Sequence, residues 1–130
     1  MEKKITDPWA WGKNTNSVQA VEVTNVSGTL YCSGQVAIDA AGIPSAADMR
    51  SQLIQTIANL EQLISEAGYE CKNIVRLNVF TTSVQEFFST CMDVYVPFIK
   101  KHGIEQAATL LEVKALFATL SIELEATAVR

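Results

Sequence analysis

At 130 residues the chain is long enough for one domain with a real core, but small enough that association would help bury apolar surface. Charged residues make up 18% against an average of about 25% in globular chains, so part of the surface is expected to be covered by partner subunits. The net charge is −4, with no basic stripe, which argues against nucleic acid as a partner. No apolar stretch approaches the roughly 20 residues that span a bilayer, and Met1-Glu2-Lys3-Lys4 leads into no signal-peptide core. A cytoplasmic protein is expected. Three cysteines (Cys32, Cys71, Cys91) without a C-x-x-C read as reduced core residues, and a lone histidine offers no zinc spacing.

Residues 1–17 read as an irregular arm ahead of a single domain, 18–130. Pro8, Gly12 and a polar run break any periodicity, and Trp9 and Trp11 are expected to pack on their own domain or on a neighbour. Val18 to Val26 alternates as a strand. A turn at Ser27-Gly28 then leads into a second strand, Leu30 to Ile38, suggesting a hairpin. Gly34 inside that second strand signals a bulge or a close backbone approach.

The first helix should begin near Ser45, with Asp48 echoing a capping box, and end at Gly68. Met49, Leu53, Ile57, Leu60 and Ile64 form its apolar face, with Gln52 elsewhere. Ile74 to Thr81 is a strand with Val75, Leu77 and Val79 on one side. A second helix starts at Ser83, boxed by Glu86, buries Phe87, Cys91, Val94 and Phe98, is kinked by Pro97, and stops at Gly103. His102 ends this helix beside Lys100 and Lys101, where cations suit the dipole.

Ala107 to Ala115 reads as a strand on which Leu111, Val113 and Ala115 alternate with Glu112 and Lys114. The last strand alternates Leu120, Ile122, Leu124, Ala126 and Ala128 against Ser121, Glu123, Glu125 and Thr127. The order β-β-α-β-α-β-β implies an α+β two-layer sandwich, helices on one face of a mixed sheet. Spacing alone gives His102 no triad, the cysteines no activating group, and the glutamates a solvated sheet face.

Several segments, in this order, resemble the RidA/YjgF/YabJ family, also called endoribonuclease L-PSP: Val18-Gln19-Ala20-Val21, Leu30 to Val36 with Ser33-Gly34-Gln35, Ala67-Gly68, Ile74 to Thr81, Glu112-Val113, and Ile122 to Ala126. The resemblance covers residue 18 to the C-terminus. It implies a chorismate mutase-like fold and a homotrimer whose sheets form a barrel, with ligand clefts between subunits. It also implies cofactor-independent hydrolysis of reactive imines or enamines to ketoacids and ammonia. Glu112 is then the expected catalytic carboxylate, orienting water, and Ser33, Gly34, Gln35, Ala108, Thr109 and Lys114 are the expected substrate-binding residues. Ala108 stands where the family's carboxylate-binding arginine is expected, Thr109 for its serine, and Ser17 for its tyrosine. Two readings follow: a hydrolase or deaminase of small imines, enamines or related carbonyl compounds, and a non-catalytic homotrimer binding a small metabolite. A ribonuclease is disfavoured by the acidic balance and the absence of a basic groove.

Overall fold

The computed structural model describes residues 1–130. In chain order the elements are β1 (Glu2–Thr6), β2 (Ala20–Thr24), β3 (Thr29–Tyr31), α1 (Met49–Glu66), β4 (Ile74–Thr81), α2 (Val84–Thr90), α3 (Met92–His102), β5 (Ala107–Glu112) and β6 (Ile122–Val129). A four-stranded sheet of order β3-β6-β4-β5 carries the helices on one face, the two-layer α+β arrangement expected. Only β4–β5 is parallel.

The expected β2–β3 hairpin does not form. β2 pairs along its whole length with β1, so the supposedly irregular arm contains a strand. Val18 bridges Ala107 beside β5, while Ser27 and Gly28 bond Arg130 beside β6. The chain therefore crosses the end of the sheet from one edge to the other, and its turn delivers β3 to β6 rather than folding it back on β2.

α1 buries all five apolar residues of its periodic face. Its cap is Asp48 rather than Ser45: the Asp48 carboxylate accepts from Ser51 N at 2.7 Å, and this hydrogen bond holds its pKa below the usual carboxylate value. Gly68 follows α1 with a φ of 79° and Gly103 follows α3 with 61°, conformations that a side chain would strain. Ser83 accepts from Glu86 N as the cap of α2. The single second helix expected from the pattern is two. The backbone at Cys91 departs from helical geometry and separates α2 from α3, while Pro97 lies within α3, where it leaves one carbonyl without its helical donor.

On β4 a bulge between Ile74 and Arg76 resets the alternation, so Ile74 and Leu77 are both buried and Val75 falls out of phase. Gln52, placed off the apolar face by its chemistry, is 1% exposed. Its Nε2 donates to Ala47 O and Thr119 O, and its Oε1 accepts from Ser121 N and Ser121 Oγ. One side chain thus joins the start of α1 to the start of β6, with every hydrogen-bonding capacity filled. Gln52→Leu keeps the volume but strands these groups, and should lower unfolding free energy by at least about 2 kcal/mol in urea titrations.

Candidate functional site

The register of the sheet sorts the expected site residues. Thr81 lies opposite Glu112 on β5 and Ile122 on β6, whereas Phe80 lies opposite Leu111 and Glu123. Neighbouring rows point to opposite faces. Glu112, Leu110 and Ala108 therefore turn toward the helices, and Leu111, Phe80 and Glu123 toward the uncovered face. This inverts the expectation that Leu111 enters the core: it is 37% exposed, while Leu110 packs against the core.

On the helix side, at the β5 edge, lies a pocket of about 420 Å³. Val79, Ala108, Thr109 and Leu110 line it from the strands, and Phe87, Phe88, Met92 and Tyr95 from α2 and α3. Trp11, Gln19 and the segment 14–17 complete it. Gln106, fully buried, holds this segment: its Nε2 donates to Asn16 O at 2.8 Å, and its backbone oxygen accepts from Val18 N. Asn16 takes a φ of 55° to make the turn. Trp9 and Trp11 stack on each other at 5.4 Å and stay about half exposed, 52% and 57%, rather than packing into a core. No sequence pattern marked Trp11 as a pocket residue.

Glu112 is not in the pocket lining. It is exposed, and its carboxylate accepts from Val84 N at 2.9 Å, the first backbone amide of α2. A carboxylate there neutralises the positive end of the helix. Lys114 lies beyond the end of β5, exposed and outside the pocket, so it does not share a strand face with Glu112 as the alternation implied.

Ser33, Gly34 and Gln35 lie at the opposite edge of the sheet. Tyr31 pairs with Thr127 and Gln35 with Leu124, so four steps on this chain match three on β6. The extra residue makes the bulge anticipated at Gly34. A Cβ on Gly34 would sit 2.5 Å from Glu123 Cδ, so the glycine is what lets the Glu123 side chain lie against the backbone. Burial there, with Glu125 adding like charge, raises the Glu123 carboxyl pKa above its ordinary value. Glu125 itself accepts from Asn78 at 3.0 Å. Spacing gave Glu112 and Glu123 the same solvated default; only their neighbours distinguish them.

The remaining reactive side chains have structural settings. Burial pushes the three free thiols up, Cys71 to about 11, which removes thiolate nucleophiles. His102 Nε2 meets Glu61 at 2.6 Å at the end of α3, away from the pocket. No cluster of three potential metal ligands exists, and no helix is long and apolar enough to cross a membrane.

The family model for Endoribonuclease L-PSP matches residues 13–130. The chain belongs to this family, that of the RidA/YjgF proteins. Among its relatives, a RutC family protein of Aquifex aeolicus is 30% identical over 112 residues, covering 86% of each chain. The 2-iminobutanoate/2-iminopropanoate deaminase of Escherichia coli is 30% identical over 114 residues, covering 87% of this chain and 86% of the relative. The crystal structure of YyfB from Yersinia pestis, a Rid family protein of unknown function, superposes over 100% of both chains with a TM-score of 0.84 and 28% identity. For this RidA/YjgF family member, the fold expected from the resemblance is therefore the fold observed.

Because Glu123 has a folded pKa above its unfolded one, its contribution to stability is fully present below the ordinary value of 4.5 and is lost as pH rises through the raised value. Glu123→Gln should therefore raise the melting temperature relative to wild type at pH 7, and the difference should shrink toward pH 4. Gly34→Ala, by displacing the carboxylate into water, should reduce the same pH-dependent difference. Thermal melts at the two pH values check both.

Proposed function

We propose that this protein hydrolyses a small imine or enamine, or a related carbonyl compound, without a cofactor, at a cleft completed by another copy of the chain. The observation that carries this reading is Glu123: a carboxyl held against the Gly34 bulge, its pKa raised by burial and by the neighbouring Glu125. A carboxyl placed beside a reacting group can exchange a proton with it. As carboxylate it takes a proton from water while the oxygen bonds to the C=N carbon. As carboxylic acid it returns that proton to nitrogen to complete the carbinolamine. The hydroxyl proton then passes to the amine nitrogen as the C–N bond breaks and the C=O bond forms, releasing ammonia and a carbonyl compound. On this reading Glu112, expected to orient water, instead serves as the cap of α2. The printed name of the E. coli relative, an iminobutanoate and iminopropanoate deaminase, supports the reaction class.

The need for a second copy rests on distance. The Ser33-Gly34-Gln35 edge and the Ala108-Thr109 edge have β6 and β4 between them. Three interstrand steps are roughly 14 Å, too far for one small ligand within one chain. A trimer that sets one chain's β3 edge beside another's β5 edge brings Ser33-Gly34-Gln35 next to Ala108-Thr109. The cleft has to wrap round that joined edge for Glu123, on the face away from the helices, to reach a ligand there. The uncovered sheet face mixes Phe80, Leu111 and the 79%-exposed Tyr31 with Arg76, Asn78, Glu123 and Glu125, and its apolar part supports such an association.

The second reading, a binding homotrimer without catalysis, is favoured by one feature. The pocket around Ala108 carries no charged side chain to fix a substrate carboxylate.

Ammonia release from imines generated in situ by an amino-acid oxidase tests these alternatives. Glu123→Gln should lower the rate by about 10²-fold or more. Glu112→Ala should keep the rate while costing stability of about 0.5 kcal/mol through the lost helix-end charge. Wild-type release at the uncatalysed rate over several imines leaves the binding reading standing. Loss on Glu112→Ala with Glu123→Gln unaffected returns the catalytic role to Glu112. Sedimentation at rising protein concentration checks the association, and activity should rise with the oligomeric fraction.

A further inference from the structure

None of the residues lining the pocket of about 420 Å³ is an Asp, Glu, Lys, Arg or His. An ionised ligand entering it would give up water and meet no opposite charge. The amino end of α2 is already occupied by the Glu112 carboxylate. A net charge of −4 further disfavours anionic ligands at long range.

The wall is instead aromatic and neutral-polar. Trp11 and Phe88 line the pocket and stay 57% and 55% exposed, so large ring surfaces at its mouth are not covered by this chain. Asn14, Asn16 and Gln19 also line it, residues whose side-chain amides can both donate and accept. Gln106 anchors the segment that carries them. A pocket of this size with a few neutral polar groups suits a ring-sized ligand.

We propose that the pocket above Ala108 takes an uncharged aromatic ligand bearing one amide, imine or carbonyl group. The ring lies against Trp11 and Phe88, and the polar group meets the side-chain amides of the 14–19 segment. As a substrate class this rests on the hydrolase reading above; as a binding specificity it stands on the pocket alone.

The chain's two tryptophans are Trp9 and Trp11, stacked at the pocket, so intrinsic fluorescence reports on it directly. The intact protein is titrated with benzamide and with benzoate, which match in shape and differ in charge. Benzamide should change the emission saturably and bind at least about tenfold more tightly than benzoate, a difference of roughly 1.4 kcal/mol. Trp11→Leu should weaken benzamide binding measured by calorimetry, and Ala108→Arg should reverse the order in favour of benzoate, with melting curves confirming that both variants fold. Equal or tighter binding of benzoate by wild type, no saturable binding of benzamide, or unchanged binding by a folded Trp11→Leu overturns the proposal. Ammonia release from small imines is measured separately. Ammonia release without benzamide binding leaves the hydrolase reading and overturns this one, and benzamide binding without ammonia release does the reverse.

Discussion

The pairing of β4 with β6 is the constraint from which the arrangement of the site follows. It places Phe80 opposite Glu123 and Thr81 opposite Ile122, and through the parallel pair it places the same two residues opposite Leu111 and Glu112. Because adjacent residues of a strand face opposite ways, the two carboxylates cannot share a face. A slip of one residue would bring Glu123 under the helices and send Leu124 out. The buried run Ile122, Leu124, Ala126 and Ala128 opposes that slip, since it would expose four side chains that are each at most 1% accessible.

Each carboxylate is then defined by what its face offers. Glu112 looks toward the helices and meets the unpaired first amide of α2, a donor that stabilises its charge. Glu123 looks away from them and meets the bulged backbone at Gly34, where it loses water and gains no donor. The two residues have the same chemistry and similar places in alternating strands. The difference between a carboxylate that caps a helix and one whose pKa is raised arises from a helix terminus on one side and a glycine on the other.

Local features were the legible ones. The face of α1, the Ser83 cap, and the stops at Gly68 and Gly103 are short-range patterns that the structure keeps. On the second helical segment Phe87, Cys91 and Phe98 are buried as expected, but Val94 is only partly buried and Tyr95 and Ile99 take its place, because the break at Cys91 turns the face. The bulge at Gly34 was also announced by a glycine in a strand. Pairing across the chain was not legible. Ser27-Gly28 looks like a hairpin turn whether the next strand folds back or continues to another edge, and nothing in its own residues distinguishes the two. Glu2 to Thr6 is too polar to read as a strand before its partner β2 is known. Gln52 reads as a solvent-facing residue until the backbone groups of residues 47, 119 and 121 converge on it. Likewise Trp11 becomes a pocket residue only when Gln106, far along the chain, holds the segment beside it.

The site's two halves differ in what they ask of a ligand. The β5 edge offers volume, ring surface and neutral hydrogen-bonding groups, but no charge. The β3 edge offers a backbone bulge, with the Glu123 carboxyl of β6 held against it and its pKa raised by burial and by Glu125. Within one chain Ala108 on β5 and Glu123 on β6 are two strand steps apart, roughly 10 Å at ordinary strand spacing, and on opposite faces of the sheet. Ala108 lines the pocket and lies on the face opposite Glu123, so a change at Ala108 alters the pocket while Glu123 keeps its environment. The converse holds for Gly34, whose replacement disturbs Glu123 and leaves the pocket lining intact.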